Sequence, residues 1–356
     1  MYISKIGKCV SVFGLISACA ASFSALAVNY SLIPIGDLPG GIYSSSPLAI
    51  NDRGQVVGVG NSAVGTEAFL WDRVNGIQAM GALIAGGDSA AYDINERGQV
   101  TGWAKSANGF EAFLWDSVNG MVGLGDLAGG VFESRGRGIN NAGKITGYGT
   151  SDKGIEVFLW DPLTGLQNLG DLPGGDVDGR PKFINNSGQI AGRSSSTNGI
   201  VFEAFLWSPG VGMQALGDLS GGAFRSTAEN INDLGQVVGR GDSASGFEAF
   251  IWDATNGMVS LGDLPGGQLR SSAQGINDLS QVVGSSYDSF GLQAFIWDAV
   301  SGMQKLQDLV VDGSAAGWLL QEARGINNRG EITGFGKNPL GNTESFLLVP
   351  VYTSCQ

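Results

Sequence analysis

From about residue 30 onward the chain alternates short apolar runs with turns rich in Gly, Asn and Asp, and this alternation repeats itself. The pair Ile-Asn recurs at Asn51, Asn95, Asn140, Asn185, Asn232, Asn277 and Asn327, with gaps of 44, 45, 45, 47, 45 and 50 residues. Each pair leads through a turn such as Asn51-Asp52-Arg53-Gly54 into an apolar run, Gln55-Val56-Val57-Gly58 in the first copy. An aromatic run follows 17 to 20 residues after the Asn, from Ala68-Phe69-Leu70-Trp71 in the first copy to Ser345-Phe346-Leu347-Leu348 in the last. A third element, typified by Leu169-Gly170-Asp171-Leu172-Pro173-Gly174-Gly175, also occurs seven times. Self-similarity at a fixed period is the mark of a repeat architecture, in which each copy is one supersecondary unit.

Each copy divides into four strand-length pieces. The first strand runs into Ile-Asn, where Asn and Asp make local side-chain turns and Gly supplies a positive φ. The second is the Val-Val-Gly run. The third is the aromatic run, with Phe69 and Trp71 on one face and Ala68 and Leu70 on the other. A tight turn such as Asn75-Gly76 leads to the fourth, which ends in Leu-Gly-Asp-Leu. Four antiparallel strands in ~45 residues is the pattern of a β-propeller blade. The repeats start with a lone fourth strand, Tyr30 to Leu38, and end with a first, second and third strand through about Pro350. The expectation is therefore an all-β, seven-bladed propeller, closed by the N-terminal strand joining the last blade. The first strand of each blade is placed innermost and the fourth outermost.

Composition sharpens this. Gly is 59 of 356 residues, with no Gly-X-Y period, which suits many short strands joined by tight turns. Residues 1–27 read as a signal peptide, with Lys5 and Lys8 ahead of an apolar stretch and an Ala25-Leu26-Ala27 cleavage site. Residues 28–356 then form one propeller domain, exported to the periplasm or beyond the cell, with no transmembrane segment and expected to be monomeric. An alternative is a lipid anchor, because Ile16-Ser17-Ala18-Cys19 resembles a bacterial lipobox. Cleavage after Ala27 leaves Cys355 as the one cysteine, so no internal disulfide forms. The mature chain carries 18 Lys and Arg against 33 Asp and Glu, a net −15. That balance argues against nucleic acid or an anionic membrane as partner. Histidine is absent, which removes Ser-His-Asp and Cys-His catalysis and every His-containing zinc site.

The combined Ile-Asn-x-x-Gly, Ala-Phe-Leu-Trp and Leu-Gly-Asp-Leu pattern, over roughly residues 30 to 350, resembles the HAF-repeat family of predicted extracellular repeat proteins. That family is named for a His-Ala-Phe tripeptide. This chain departs at the His, carrying Glu67, Glu111, Glu156, Glu203, Glu248, Gln293 and Glu344 there. The resemblance implies export and a propeller-like fold, and implies no known reaction.

Residues present in every copy serve the repeat itself. The Leu-Gly-Asp-Leu carboxylates, Asp37, Asp126, Asp171, Asp218, Asp263 and Asp308, cap loop N–H groups on this reading. One Asp per blade falls short of the 6–8 oxygens calcium usually takes, so no cofactor is expected and weak surface calcium alone stays open. The informative positions differ between copies. Counting back from each Asn along the first strand, the third residues are Leu48, Tyr92, Arg137, Lys182, Glu229, Gln274 and Arg324. The fifth are Ser46, Ala90, Arg135, Arg180, Thr227, Ser272 and Glu322, and the seventh Ser44, Asp88, Glu133, Asp178, Arg225, Arg270 and Leu320. The period-2 rule puts these on one face, while the fourth residues are uniformly small. With the first strands innermost, this face lines the central channel. The candidate ligand site is thus Tyr92, Glu133, Arg135, Arg137, Asp178, Arg180, Lys182, Arg225, Glu229, Arg270, Glu322 and Arg324. The arginines would engage an anionic or polyhydroxylated ligand through fork-like bonds, with Tyr92 and Trp103 stacking. The competing reading is that these charges pair with Glu133, Asp178, Glu229 and Glu322 and merely fill a solvated channel. Two further functions stay open. One is a glycan-active hydrolase or lyase using paired carboxylates such as Glu133 and Asp178. The other is a surface protein-interaction or structural domain, with Trp318 in the longest loop either an anchor or packed beneath that loop.

Overall fold

The computed structural model describes residues 28–196 and 202–351. The expected signal peptide, Cys9, Cys19 and Cys355 lie outside the described residues. The chain opens with β1 (Asn29–Gly36). The first unit is β2 (Gly40–Ile50), β3 (Val56–Ser62), β4 (Gly65–Asp72) and β5 (Gly76–Ala79). The second is β6 (Ser89–Ile94), β7 (Val100–Lys105), β8 (Phe110–Asp116) and β9 (Gly120–Gly123). The third is β10 (Gly129–Ile139), β11 (Ile145–Ser151), β12 (Ile155–Asp161) and β13 (Gly165–Gly170). The fourth is β14 (Gly179–Ile184), β15 (Ile190–Ser195), β16 (Phe202–Ser208) and β17 (Gly212–Ala215). The fifth is β18 (Gly221–Ile231), β19 (Val237–Ser243), β20 (Gly246–Asp253) and β21 (Gly257–Gly262). The sixth is β22 (Gly266–Ile276), β23 (Val282–Asp288), β24 (Gly291–Asp298) and β25 (Gly302–Lys305). One helical turn, α1 (Leu306–Leu309), precedes β26 (Leu319–Ile326), β27 (Ile332–Lys337) and β28 (Thr343–Val351).

The protein is an all-β propeller with four-stranded antiparallel blades. Pairing divides the strands into six sheets rather than seven separate ones: five of four strands and one of eight. The eight-stranded sheet is the second and third units, joined by a single parallel residue pair, Glu133 with Phe110. β1 pairs antiparallel with β28, so the last three strands share a sheet with the first. Each unit's first strand packs beside those of both neighbours, from β2 and β6 round to β26 and β2.

Between units the packing is built from repeated small contacts. The Phe of every aromatic run, Phe69 through Phe346, is fully buried. Opposite it stands the Gly of the second strand, Gly147 against Phe158 for example. A Cβ on Gly147 would lie 2.2 Å from the Arg135 carbonyl oxygen and 2.4 Å from the Phe158 ring, so the ring occupies the space a side chain would need. Buried serines join neighbouring units: Ser89, Ser134, Ser226 and Ser271 accept the N–H of Ala68, Ala112, Ala204 and Ala249 across the seams, and Ser45 accepts that of Ser345.

The Ile-Asn residues form a ring. The Nδ2 of Asn51 donates to the carbonyl of Asn95, Asn95 to Asn140, Asn140 to Asn185 and Asn185 to Asn232. Asn232 continues to Asn277, Asn277 to Asn327, and Asn327 back to Asn51. Each Asn Oδ1 also accepts the N–H four residues on, as Asn140 does from Lys144 at 3.0 Å. One side chain therefore closes its own turn and ties its unit to the next. A second ring lies beside it, in which the next residue, such as Asp52 or Glu96, accepts a backbone N–H from the preceding unit.

Candidate functional site

All first strands run toward the Asn ring, so their N-terminal ends surround the opposite, upper mouth. Each carries a bulge at the same place. Pairing skips from Pro47 to Ala49, from Gly136 to Gly138, from Pro181 to Phe183, and likewise in the other units. The skipped residue is the third before the Asn in all seven strands. A bulge leaves one residue unpaired and re-aims its side chain. Here it directs Leu48, Tyr92, Arg137, Lys182, Glu229, Gln274 and Arg324 together around one chamber of about 110 Å³, with Phe183 beside them. The bulge also breaks the strict alternation on which one shared face was expected. Residues two before the Asn, Phe183 and Asp93 among them, reach the axis as well and line a lower chamber of about 230 Å³ at the ring.

The expected charges fall into three groups. Four cations are paired as the competing reading supposed: Arg135 to Glu133 at 3.0 Å, Arg180 to Asp178 at 2.6 Å, Lys182 to Glu229 at 2.7 Å and Arg324 to Glu322 at 2.7 Å. Two more lie outside the chamber lining, as the paired Arg135 and Arg180 also do. Arg225 is exposed, reaches Asp242 at 3.3 Å and lies 4.2 Å over Phe247. Arg270 is exposed and lines a separate pocket. Leu320, on the same expected face, is instead fully buried with Trp318 and Phe346, because a further shift in β26 turns it inward.

Arg137 is the exception inside the chamber. Among the described residues it has no ion pair, and its buried Nε has no hydrogen-bond partner. Its guanidinium lies 4.2 Å from the Tyr92 ring centre and 5.7 Å from that of Tyr148. Trp103 donates to the Tyr92 hydroxyl at 3.3 Å and steadies it. The Lys182–Glu229 and Arg324–Glu322 pairs cancel, so Arg137 leaves the chamber wall positive. Around it runs a shelf of arginine on aromatic rings: Arg135 lies 5.1 Å from both Trp103 and Phe110, and Arg180 lies 5.5 Å from Tyr148.

Two arginines of the second strands lie outside the site expected from the sequence. Arg193 pairs in register with Arg180, and Arg240 with Thr227. Burial, reinforced by the Arg180 charge, lowers the Arg193 pKa, and its guanidinium rests 4.2 Å over Phe202. Both occupy the eighth position after the Asn, where the copies read Val59, Trp103, Tyr148, Arg193, Arg240, Ser285 and Phe335. That copy-to-copy variation was the available signal.

Three of the six repeated carboxylates have loop partners. Asp37, Asp126 and Asp218 accept the N–H of Ser44, Glu133 and Arg225 across their loops. Burial raises all three pKa values, against the opposing pull of those N–H groups. The acids two residues before the buried Phe also act within their blades: Glu111 accepts from Gly125, Glu156 from Asn168 and Glu344 from Asn338. Trp318 is buried edge-on to Phe346, beneath its own loop. Among the described residues no cluster of three His, Cys, Asp or Glu has metal-holding geometry, and no helix is long and apolar enough to cross a membrane.

No family model matches the sequence, and no curated protein matches it. Among solved structures, a gluconolactonase from Xanthomonas campestris is similar at a TM-score of 0.48, with 10% identity over 92% of this chain and 93% of that one. A mutant of AofleA from Arthrobotrys oligospora is similar at 0.42, with 15% identity over 80% of this chain and 92% of that one. These are likenesses of overall build, and no activity comes over with them.

Proposed function

We propose that the mature chain is an exported, monomeric, seven-bladed propeller that binds an anionic carbohydrate at the upper mouth of its channel without transforming it. The Asn ring, the packing of the seven first strands and the β1–β28 pairing support the blade count. The HAF-repeat resemblance and the N-terminal signal support export. The observation that carries the binding reading is Arg137: a cation with no carboxylate partner among the described residues, in a chamber lined by all seven bulged side chains. Such a guanidinium offers a planar fork to a carboxylate or sulfate, and Tyr92 presents an aromatic face beside it.

The test is calorimetric titration of residues 28–356 with galacturonic acid and with neutral galactose. Binding of the acid, absent with galactose and lost in Arg137→Gln, is the expected result. Equal binding of both sugars, or an unchanged Arg137→Gln, overturns it. Cleavage of an acidic oligosaccharide would instead favour the enzyme reading and turn attention to Glu133 and Asp178.

A further inference from the structure

A second pocket, of about 170 Å³, opens between the blades of β18–β21 and β22–β25. Arg240 enters it from β19, Arg270 and Ser272 from β22, and Ser285 from β23. Among the described residues neither arginine has an ion pair. The one acid in the lining, Glu322, already holds Arg324 at 2.7 Å. Two arginines therefore share a small hydroxyl-lined pocket with no carboxylate left to neutralise them. Gln274 belongs to the walls of both this pocket and the Arg137 chamber. Its side chain donates to the Ser272 hydroxyl at 3.1 Å, so the partition between the two is polar.

We infer that this pocket is a second oxyanion subsite, which takes a carboxylate or sulfate on a neighbouring unit of the same oligosaccharide whose first anionic group lies on Arg137. The ligand is then a chain with at least two anionic groups, and the two subsites act together through effective concentration. This rests on the channel reading for its second point of contact; the Arg240–Arg270 pocket itself stands on its own residues. An ester sulfate and a uronic carboxylate are both oxyanions that accept two parallel guanidinium bonds, and separate probes tell them apart.

The experiment titrates residues 28–356 with galacturonic acid, trigalacturonate, a sulfated tetrasaccharide and neutral maltotriose. Trigalacturonate or the sulfated probe should bind at least tenfold tighter than the monosaccharide, and the tighter of the two names the oxyanion. The Arg240→Gln, Arg270→Gln double variant should lose that gain and fall to the affinity that the Arg137 chamber alone gives. Arg240→Lys, which keeps the charge and loses the fork, should fall between. Circular dichroism confirms that both variants fold. Oligosaccharide affinity unchanged in the double variant, or maltotriose binding as well as the acidic probes, overturns the subsite. Binding abolished in the double variant but kept in Arg137→Gln would retain the subsite and discard the channel. No binding of any acidic probe discards both.

Discussion

The side-chain amide of Asn327 donates to the backbone carbonyl of Asn51 at 3.0 Å, across 276 positions of the chain. The same side chain accepts the N–H groups of Arg329 and Glu331 and donates to the Glu331 carboxylate. At Asn140 the equivalent amide reaches the next unit, to the Asn185 carbonyl 45 positions on, and its Oδ1 accepts the N–H groups of Ala142 and Lys144. Truncating either residue leaves buried backbone groups unpaired, at about 2–4 kcal/mol in all. Asn327→Ala and Asn140→Ala should therefore lower the urea midpoint by similar amounts. A silent Asn327→Ala beside a damaging Asn140→Ala would mean that the first and last units do not hold each other in solution.

The strand β1 leads to a related expectation. It covers β28 from Asn29 to Gly36 and carries Tyr30 and Leu32 into the core with Leu320, Phe346 and Leu348. Without it, β28 becomes an unpaired edge, a template for association. A chain starting at Pro39 should melt lower and self-associate on heating, and a peptide spanning 28–38 should restore the melting temperature by strand addition. A shortened chain as stable as the full one would show that β28 needs no partner.

Gly147 and Gly165 should respond to alanine in opposite order to their backbone angles. Gly165 sits at φ +78 with nothing within 4 Å of where a Cβ would stand, so alanine there meets only the left-handed penalty of about 1–2 kcal/mol. At Gly147 no unusual φ is involved, but the Cβ falls onto the Arg135 carbonyl and the Phe158 ring. Gly147→Ala should cost more than about 3 kcal/mol, in keeping with overpacking that the backbone cannot relieve. Denaturant melts of the two single variants decide the order.

The spacing of Ile-Asn and Ala-Phe-Leu-Trp was enough to read strands, turns and four-strand units, because every copy repeats the same local choice. The bulge was not legible. It adds one residue at the same place in every first strand, so the copies align throughout, and the count that put Leu48 and its equivalents at the channel gave no sign that residues two before the Asn, Asp93 and Phe183 among them, reach the axis as well. Partner choice was legible in part, since the pairing acids Glu133, Asp178, Glu229 and Glu322 could be named but not which cation would be left without one. Lys182 finds Glu229, 47 positions on, on the first strand of the next unit, whereas among the described residues Arg137 meets the rings of Tyr92 and Tyr148 and no carboxylate. Arg193 and Arg240 stand on second strands, where the period-2 face of the first strands says nothing about which side chains reach a pocket.

Asp93 makes stability depend on pH. It is the lone ionisable residue at the second position before the Asn, where the other copies carry Ala49, Gly138, Phe183, Asn230, Gly275 and Gly325. Its carboxylate accepts the N–H groups of Ile139 and Ile94 at 2.8 and 2.9 Å. Burial outweighs those bonds and, with the nearby charge of Glu96, pushes its pKa up to about 7. A carboxyl raised in the folded state holds its proton more tightly there than in the unfolded chain. Its contribution is complete below about pH 4, declines as pH rises through 7, and then stays lost. The full decline is on the order of 4 kcal/mol. Asp93→Asn removes the titration, and Asn230 already fills the equivalent position with its own Oδ1 accepting the Ile231 N–H at 2.7 Å. The variant loses one acceptor for Ile139 at every pH, a constant cost. The difference in melting temperature between variant and parent should therefore move in the variant's favour from pH 5 to pH 8. Other raised carboxylates, Asp37, Asp126 and Asp218 among them, titrate in both proteins and cancel in that difference. A difference that stays flat across the range would mean that Asp93 ionises in the folded protein as it does in the unfolded chain.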